Sequence, residues 1–286
     1  EPTNAVTTLA ADVNGTIEYV DSGPLTIGSV TGVAVQTDGV STSNDDVEIT
    51  TGGLLTIDFD VTLGTGDFTV DTTAGATQNA GHTIGAGGLE LLGTGPFTFT
   101  EANDVDTFAA DVNGTIDFYD VNILTIGSVT GLAGLTTGVT TSSDDVAIET
   151  GGLLTIDDAV DLAGGDLTID SAGGALENAG DTITAAGLEL LGTGPFTLAQ
   201  ANAVATLAAN VNGTIEYVDN DALTVGSVTG LAGLTTGVTT SSDGPWVPYR
   251  ARNTGTMRLM GKSHNPLMLP TAPSSKDSRR SRASSI

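Results

Sequence analysis

Apolar positions along the first 243 residues come in short alternating groups, not in helical stripes. Leu54–Asp58, Phe68–Asp71, Phe97–Thr100 and Thr115–Phe118 set apolar residues at every second position, with Thr or an acid between them. Alternation of period two, rich in Thr, Ile and Val, predicts short strands with one buried face. Gly-Gly, Asn-Gly and Gly-Pro pairs break the pattern roughly every eight to twelve residues, too often for helices to grow.

The pattern is copied. Asn-Gly-Thr-Ile begins at Asn14, Asn113 and Asn212, so copies follow at 99 residues (113 − 14 and 212 − 113). GTGPFT at Gly93 and Gly192, GGLLTID at Gly52 and Gly151, and GSVTG at Gly28, Gly127 and Gly226 keep the same register. Roughly two-thirds of positions agree between residues 4–102 and 103–201, and a partial third copy runs over 202–243. Within a copy, strand triplets begin at Leu124, Val146, Leu167 and Leu188, 22, 21 and 21 residues apart (146 − 124, 167 − 146, 188 − 167). The next, at Leu223, lies 35 further on (223 − 188), which leaves room for two shorter rungs around Val204–Leu207.

Five coils of about 20 residues would fill each copy and give an all-β solenoid. Each coil would lay its strands on the one before at about 4.8 Å, so a thin core of small aliphatics suffices. About twelve coils would reach on the order of 60 Å, and GGLLTID at 52 and 151 should lie on one face five coils apart. Gly and Asn would turn the corners, Asn14-Gly15, Asn113-Gly114 and Asn212-Gly213 among them. A tandem of β-sandwiches is the rival, but it wants longer strands and an aromatic core.

The order of phrases in the copy, from NAVATLAANVNGTIEYV through GSVTGLAGLTTGVTTSSDD and GGLLTIDDAVDL to LENAGDTITAAGLELLGTGPFTL, resembles the repeat of very large bacterial surface proteins. These are the filamentous-haemagglutinin-like, β-strand-repeat-containing exoproteins, and the resemblance covers residues 4–243. It implies a right-handed parallel β-helix, export to the cell surface, and a role as stalk or adhesin. The partners so implied are glycans or proteins of a host cell or surface, and neighbouring repeats of a longer parent chain. No catalytic residue comes with it.

Composition supports the thin core and divides the chain. Of 286 residues 39 are Gly and 4% are aromatic, and there is no Cys, which excludes disulfides, zinc–thiolate sites and Cys nucleophiles. All eight Lys and Arg follow residue 243, while residues 1–243 hold 34 of the 35 acids and no base. A body of charge −34 repels nucleic acid and anionic membranes, and no apolar run is long enough to span a bilayer as a helix. Residues 244–286 are basic and rich in Pro, Ser and Arg, with no period. They read as a disordered or non-native tail, or as a basic segment that docks on the acidic body or an anionic surface. Residue 1 is Glu and no charged-then-apolar leader follows, so the chain reads as a processed or excised piece.

Candidate chemistry is thin. Asp45-Asp46 and Asp144-Asp145 follow Ser/Thr-rich turns, where carboxylates can ligate Ca²⁺ through oxygen. The expected G-G-x-G-x-D calcium repeat is absent and Gly244 replaces the second Asp in the third copy, so solvated acidic turns are the plainer reading. His82 is matched by Asp181 one period later, which argues against a role for imidazole. Paired carboxylates could serve a β-helix polysaccharide hydrolase, the alternative function, but the repeat carries no single irregular place for a catalytic site. A flat Thr array for binding ice fails because Thr98-Phe99-Thr100 becomes Thr197-Leu198-Ala199. No other cofactor is expected.

Overall fold

The computed structural model describes residues 4–33 and 35–241, and among them there is no helix. The tail from 244 to 286 expected from composition lies outside the described residues. The chain is a parallel β-solenoid of about ten turns of about 21 residues.

Two ladders of paired positions show how the coils stack. One runs Leu25, Leu55, Ala76, Phe97, Ile116, Val146, Leu167, Leu188, Leu207 and Val225, each paired in parallel with the next. The other runs Ile17, Val47, Phe68, Leu89, Phe108, Ile126, Ile156 and Glu177. From Leu25 to Leu207, and from Val47 to Ile156, every ladder side chain is buried. Full burial of each aliphatic is worth about 1.5–3 kcal/mol, and the backbone hydrogen bonds run along the axis. The core is narrow, as expected, but not made of small aliphatics alone: Phe68, Phe97 and Phe108 stand in the ladders, with Phe99, Phe118, Phe196 and Tyr217 buried beside them.

The two ladders correct the expected placement of the copies. Leu55 belongs to the first, but Leu154 pairs with Leu124, whose neighbours Thr125 and Ile126 pair with Thr107 and Phe108 of the second. Equivalent residues of successive copies thus lie on opposite sides of the wall. A copy occupies four and a half coils, not five. The two shorter steps expected after Leu188 are there, Leu188 to Leu207 to Val225, but Leu124 and Val146, read as one coil apart, stand on opposite sides half a coil apart. The missing half coil has left the wall. Twelve residues, Gly127–Gly138 (138 − 127 + 1), project as an antiparallel arm in which Ser128–Gly131 pairs with Gly134–Thr137. The strand resumes at Val139, which pairs with Ala110 just beyond Phe108. Matching arms are Ser29–Thr31 with Gln36–Asp38, and Ser227–Gly230 with Gly233–Thr236.

Most buried polar side chains are paired; of the three buried oxygens without a partner, two lie at the Asp45 and Asp144 corners and the third, on Glu177, is instructive. Gln78 donates through Nε2 to the His82 carbonyl (2.8 Å) and Asn103 Oδ1 (2.7 Å), and its Oε1 accepts from Glu101 N and Asn103 Nδ2. One period later stands Glu177, whose Oε2 accepts from Gln200 N (2.8 Å) and Asn202 Nδ2 (3.2 Å). Its Oε1 is buried without a partner, because a carboxylate cannot donate where the amide of Gln78 does. Burial raises the Glu177 pKa. Glu177→Gln is expected to stabilise the protein by about 1–3 kcal/mol at pH 7, read as a higher urea midpoint. A lower midpoint would mean that Glu177 is already satisfied.

Candidate functional site

The paired aspartates sit at equivalent corners. Val139–Thr141 ends in a turn through Ser143, whose φ of 75° is matched by 69° at Asn44 in the first copy. Left-handed backbone of this kind is cheaper for short polar residues than for bulky ones. Thr141 Oγ1 donates to the Asp144 carbonyl (2.9 Å) and accepts from Asp144 N (3.2 Å), and Thr42 repeats both bonds with Asp45. The corner is thus closed by a hydroxyl, which explains the Ser/Thr run before each Asp pair.

The second Asp of each pair works along the axis. Asp46 Oδ1 accepts from Asp67 N (2.9 Å) and Asp145 Oδ1 from Asp166 N (2.8 Å). Asp67 and Asp166 in turn accept from the N–H groups of Gly88 and Gly187. Each acid holds the start of the strand one coil on, 21 residues later. Burial, and then the charge of Asp46 or Asp145 beside them, raises the pKa of Asp67 and Asp166. In the sequence that 21-residue spacing is the signal for Asp67 and Asp166, which have no second acid beside them to mark them as the Asp pairs are marked.

As calcium candidates, then, Asp46 and Asp145 already bind backbone N–H groups, and the two pairs lie in different copies, more than four coils apart. Asp45 Oδ2 and Asp144 Oδ2 are buried without a partner, one oxygen per corner. Among the described residues no group of three or more Asp, Glu or His is placed to hold a metal ion. Calcium takes six or more oxygens, for which a lone Asp pair supplies at most four. Thermal melts are therefore expected to shift upward with NaCl, by screening of the acids, with no further shift from Ca²⁺ at matched ionic strength. An added shift from Ca²⁺ that Asp144→Asn removes would restore the metal reading.

His82 is half-buried, its ring centroid 5.0 Å from that of Phe59 and its Nδ1 3.5 Å from Asp60 Oδ1. Asp158 and Ala159 replace Phe59 and Asp60 in the next copy, so the cluster is not repeated. Asp120 is the acid most displaced by its surroundings. Burial pushes it up to about 6 against the N–H groups of Val105 and Asn122, with Asp104 and Asp106 adding to the rise. A carboxyl near that value suits general acid catalysis. Asp120 is fully buried, however, and its oxygens accept from Val105 N and Asn122 N (both 2.8 Å), so no substrate reaches it.

The more unusual chemistry lies beneath the arms. The second arm folds back over the outer face of earlier coils and covers Thr69, Glu90 and Ala109. Glu90 accepts from Thr69 Oγ1 through Oε2 and from Thr136 Oγ1 of the arm through Oε1, both at 2.6 Å. The third arm covers Thr168, Glu189 and Ala208 in the same way, with Thr168 Oγ1 donating to Glu189 Oε2 (2.8 Å). The arms in turn show large apolar side chains to the outside, Leu132 and Leu135 in the second and Leu231 and Leu234 in the third. Nothing local in the sequence marks Glu90 as covered, because its lid comes from residues about 40 further on.

These features define the chain as a tandem-repeat β-solenoid protein with arms laid along its wall. No family model, curated protein or solved structure matches it.

Proposed function

We propose that the chain is a non-enzymatic stalk or adhesin segment of a large secreted bacterial surface protein. The observation that carries this reading is the unbroken axial stacking, in which two buried ladders pass from copy to copy without an interruption. A wall built that way transmits length and stiffness, which a stalk requires and which grows with the number of repeats. The phrase order shared with filamentous-haemagglutinin-like exoproteins supports the same role and an extracellular, cell-surface setting. The dense acids favour repulsion from nucleic acid and anionic membranes. No described helix is long and apolar enough to cross a membrane. Contact with glycans or proteins of another surface would fall to the exposed leucines of the arms.

The test is to display the chain on a bacterial surface between an anchor and an epitope, with one to four copies of the 99-residue repeat. Access of a bulky antibody to the epitope past a capsule is expected to rise with each copy added. No dependence on copy number would sink the stalk reading. Release of reducing ends from acidic polysaccharides by the purified chain, lost on substitution of a carboxylate, would favour the hydrolase instead.

A further inference from the structure

The three arms share one sequence frame but not one environment. Val129 of the second arm and Val228 of the third are each 2% exposed, whereas Val30 of the first is 39% exposed. The buried valines press on Gly88 and Gly187, where a Cβ would fall 2.8 Å from the valine Cγ1 in each case. Gly131 and Gly230 lie so close over Thr69–Glu90 and Thr168–Glu189 that a Cβ on either would overlap the threonine hydroxyl. Each seat is therefore a threonine, a glycine and a glutamate on the outer face of adjoining coils, met by Val and Gly from the arm, and in the second arm also by Thr136.

The first arm keeps the residues that make this contact. Val30, Gly32 and Thr37 match Val129, Gly131 and Thr136, while Val33, Val35, Gln36 and Asp38 replace Leu132, Gly134, Leu135 and Thr137. All four changed positions lie away from the seat contacts just named. The arm is also formed in advance, with Ser29, Val30 and Thr31 paired to Asp38, Thr37 and Gln36, and Gln36 Nε2 donating to Asp38 Oδ1 (2.8 Å). Beneath it, among the described residues, lies only the rung Thr8–Asp12, including Ala10, the counterpart of Ala109 and Ala208. Counterparts of Thr69, Gly88 and Glu90 would fall 99 residues earlier, before residue 1. The two complete seats in the chain are already filled by its own second and third arms.

We propose that the first arm is a clasp for the Thr–Gly–Glu face of one further 99-residue repeat stacked against the Thr8–Asp12 end of the solenoid. The partner is fixed by the interface made twice within the chain, a glycine that admits Val30 and a Thr–Glu pair that Gly32 covers, with Thr37 placed to donate to the glutamate as Thr136 does to Glu90. The inference rests on the fold and holds whether or not the protein serves as a stalk.

Joining a copy of residues 103–201 ahead of Asn4 keeps the period and supplies such a face. Hydrogen exchange at the first arm is expected to slow at least tenfold relative to the original chain, reaching the rate of the second arm. Val30→Asp in the extended chain should return the first arm to its original rate and leave the second arm unchanged. As a second readout, Val30→Cys with Gly187→Cys of the added copy should form a disulfide under mild oxidation. Gly88→Cys with Val129→Cys in the original chain provides the reference for that bond. Exchange at the first arm unchanged by the added copy, with no cross-link, overturns the proposal. So does an extended chain that no longer melts as cooperatively as the original. A concentration-dependent dimer of the original chain that Val30→Asp abolishes would assign the arm to a second molecule, and overturns it as well.

Discussion

Gly138→Ala is expected to destabilise the solenoid by on the order of 3–5 kcal/mol, and Gly237→Ala by only about 1–2 kcal/mol. The two glycines are equivalent residues of successive copies, each closing the base of an arm with φ of 66° and 70°. An alanine pays the same left-handed backbone cost at either place. At Gly138, however, its Cβ would fall on the carbonyl oxygen of Ala159 in the next coil, with the carbonyl carbon and amide nitrogen of that residue 3.1 and 3.2 Å away. The coils would have to part, and the bonds Val139 N to Ala159 O (3.0 Å) and Ala110 N to Gly138 O (2.9 Å) sit at that point. At Gly237 no described atom lies within 4 Å of the added carbon. Urea midpoints of the two variants measure the difference. Equal losses would mean that backbone conformation, not the coil above, is what the glycine serves.

Stability is expected to rise as the pH falls from 7 toward 5, the reverse of ordinary acid denaturation. Asp120 is raised by burial to about 6 from 3.8, so the folded chain holds a proton there that the unfolded chain has released. Lowering the pH through 6 therefore favours the fold, and the gain is complete only below about 4, where the unfolded carboxyl is protonated too. Two pKa units correspond to about 3 kcal/mol. Glu177, also raised by burial, acts in the same direction. The other copies show what Asp120 lacks. Tyr217 donates to Asp219 Oδ2 (2.8 Å) and Tyr19 to Asp21 Oδ2 (3.3 Å), whereas the equivalent of these tyrosines beside Asp120 is Phe118. At Asp21 burial pushes upward, but the N–H groups of Gly23 and Val6 and the Tyr19 hydroxyl outweigh it and the pKa is lowered.

Phe118→Tyr should accordingly lower the Asp120 pKa, flatten much of the rise on the acid side, and stabilise the chain at pH 7 by about 1.5–3 kcal/mol. Phe118 stacks on Phe108 at 5.0 Å, and the third copy has Tyr217 and Leu207 at these positions, so Phe108→Leu is the companion change if the added hydroxyl crowds the ring. Urea midpoints between pH 7 and 5 for the original chain and the variant provide the measurement. An acid-side rise that is the same in both would place its source in carboxylates other than Asp120.

Much of this architecture is legible in the residues themselves. Alternation in stretches such as Phe68–Asp71 specifies strands, glycine-rich pairs specify corners, and the 21-residue step from Val146 to Leu167 to Leu188 is the true length of a coil. These features are local, set by side-chain alternation and backbone freedom over a few residues. What the residues do not reveal is which side of the wall a strand occupies. Leu124 and Val146 are 22 residues apart, close to one coil, yet they stand in different ladders, because twelve of the intervening residues form an arm outside the wall. An arm of two short strands and a turn reads in sequence like any other piece of coil.

The same long-range packing decides the fate of the acids. Glu90, between Leu89 and Leu91, and Asp71, between Val70 and Thr72, both occupy outward positions of a strand and read alike as solvated charges. Glu90 is buried against a threonine 46 residues away, and Asp71 is not. Strand, corner and coil length thus follow from local chemistry. The side each copy faces, the burial of Glu90 and Glu189, and the open first arm depend on which coil meets which, and only the assembled wall decides that.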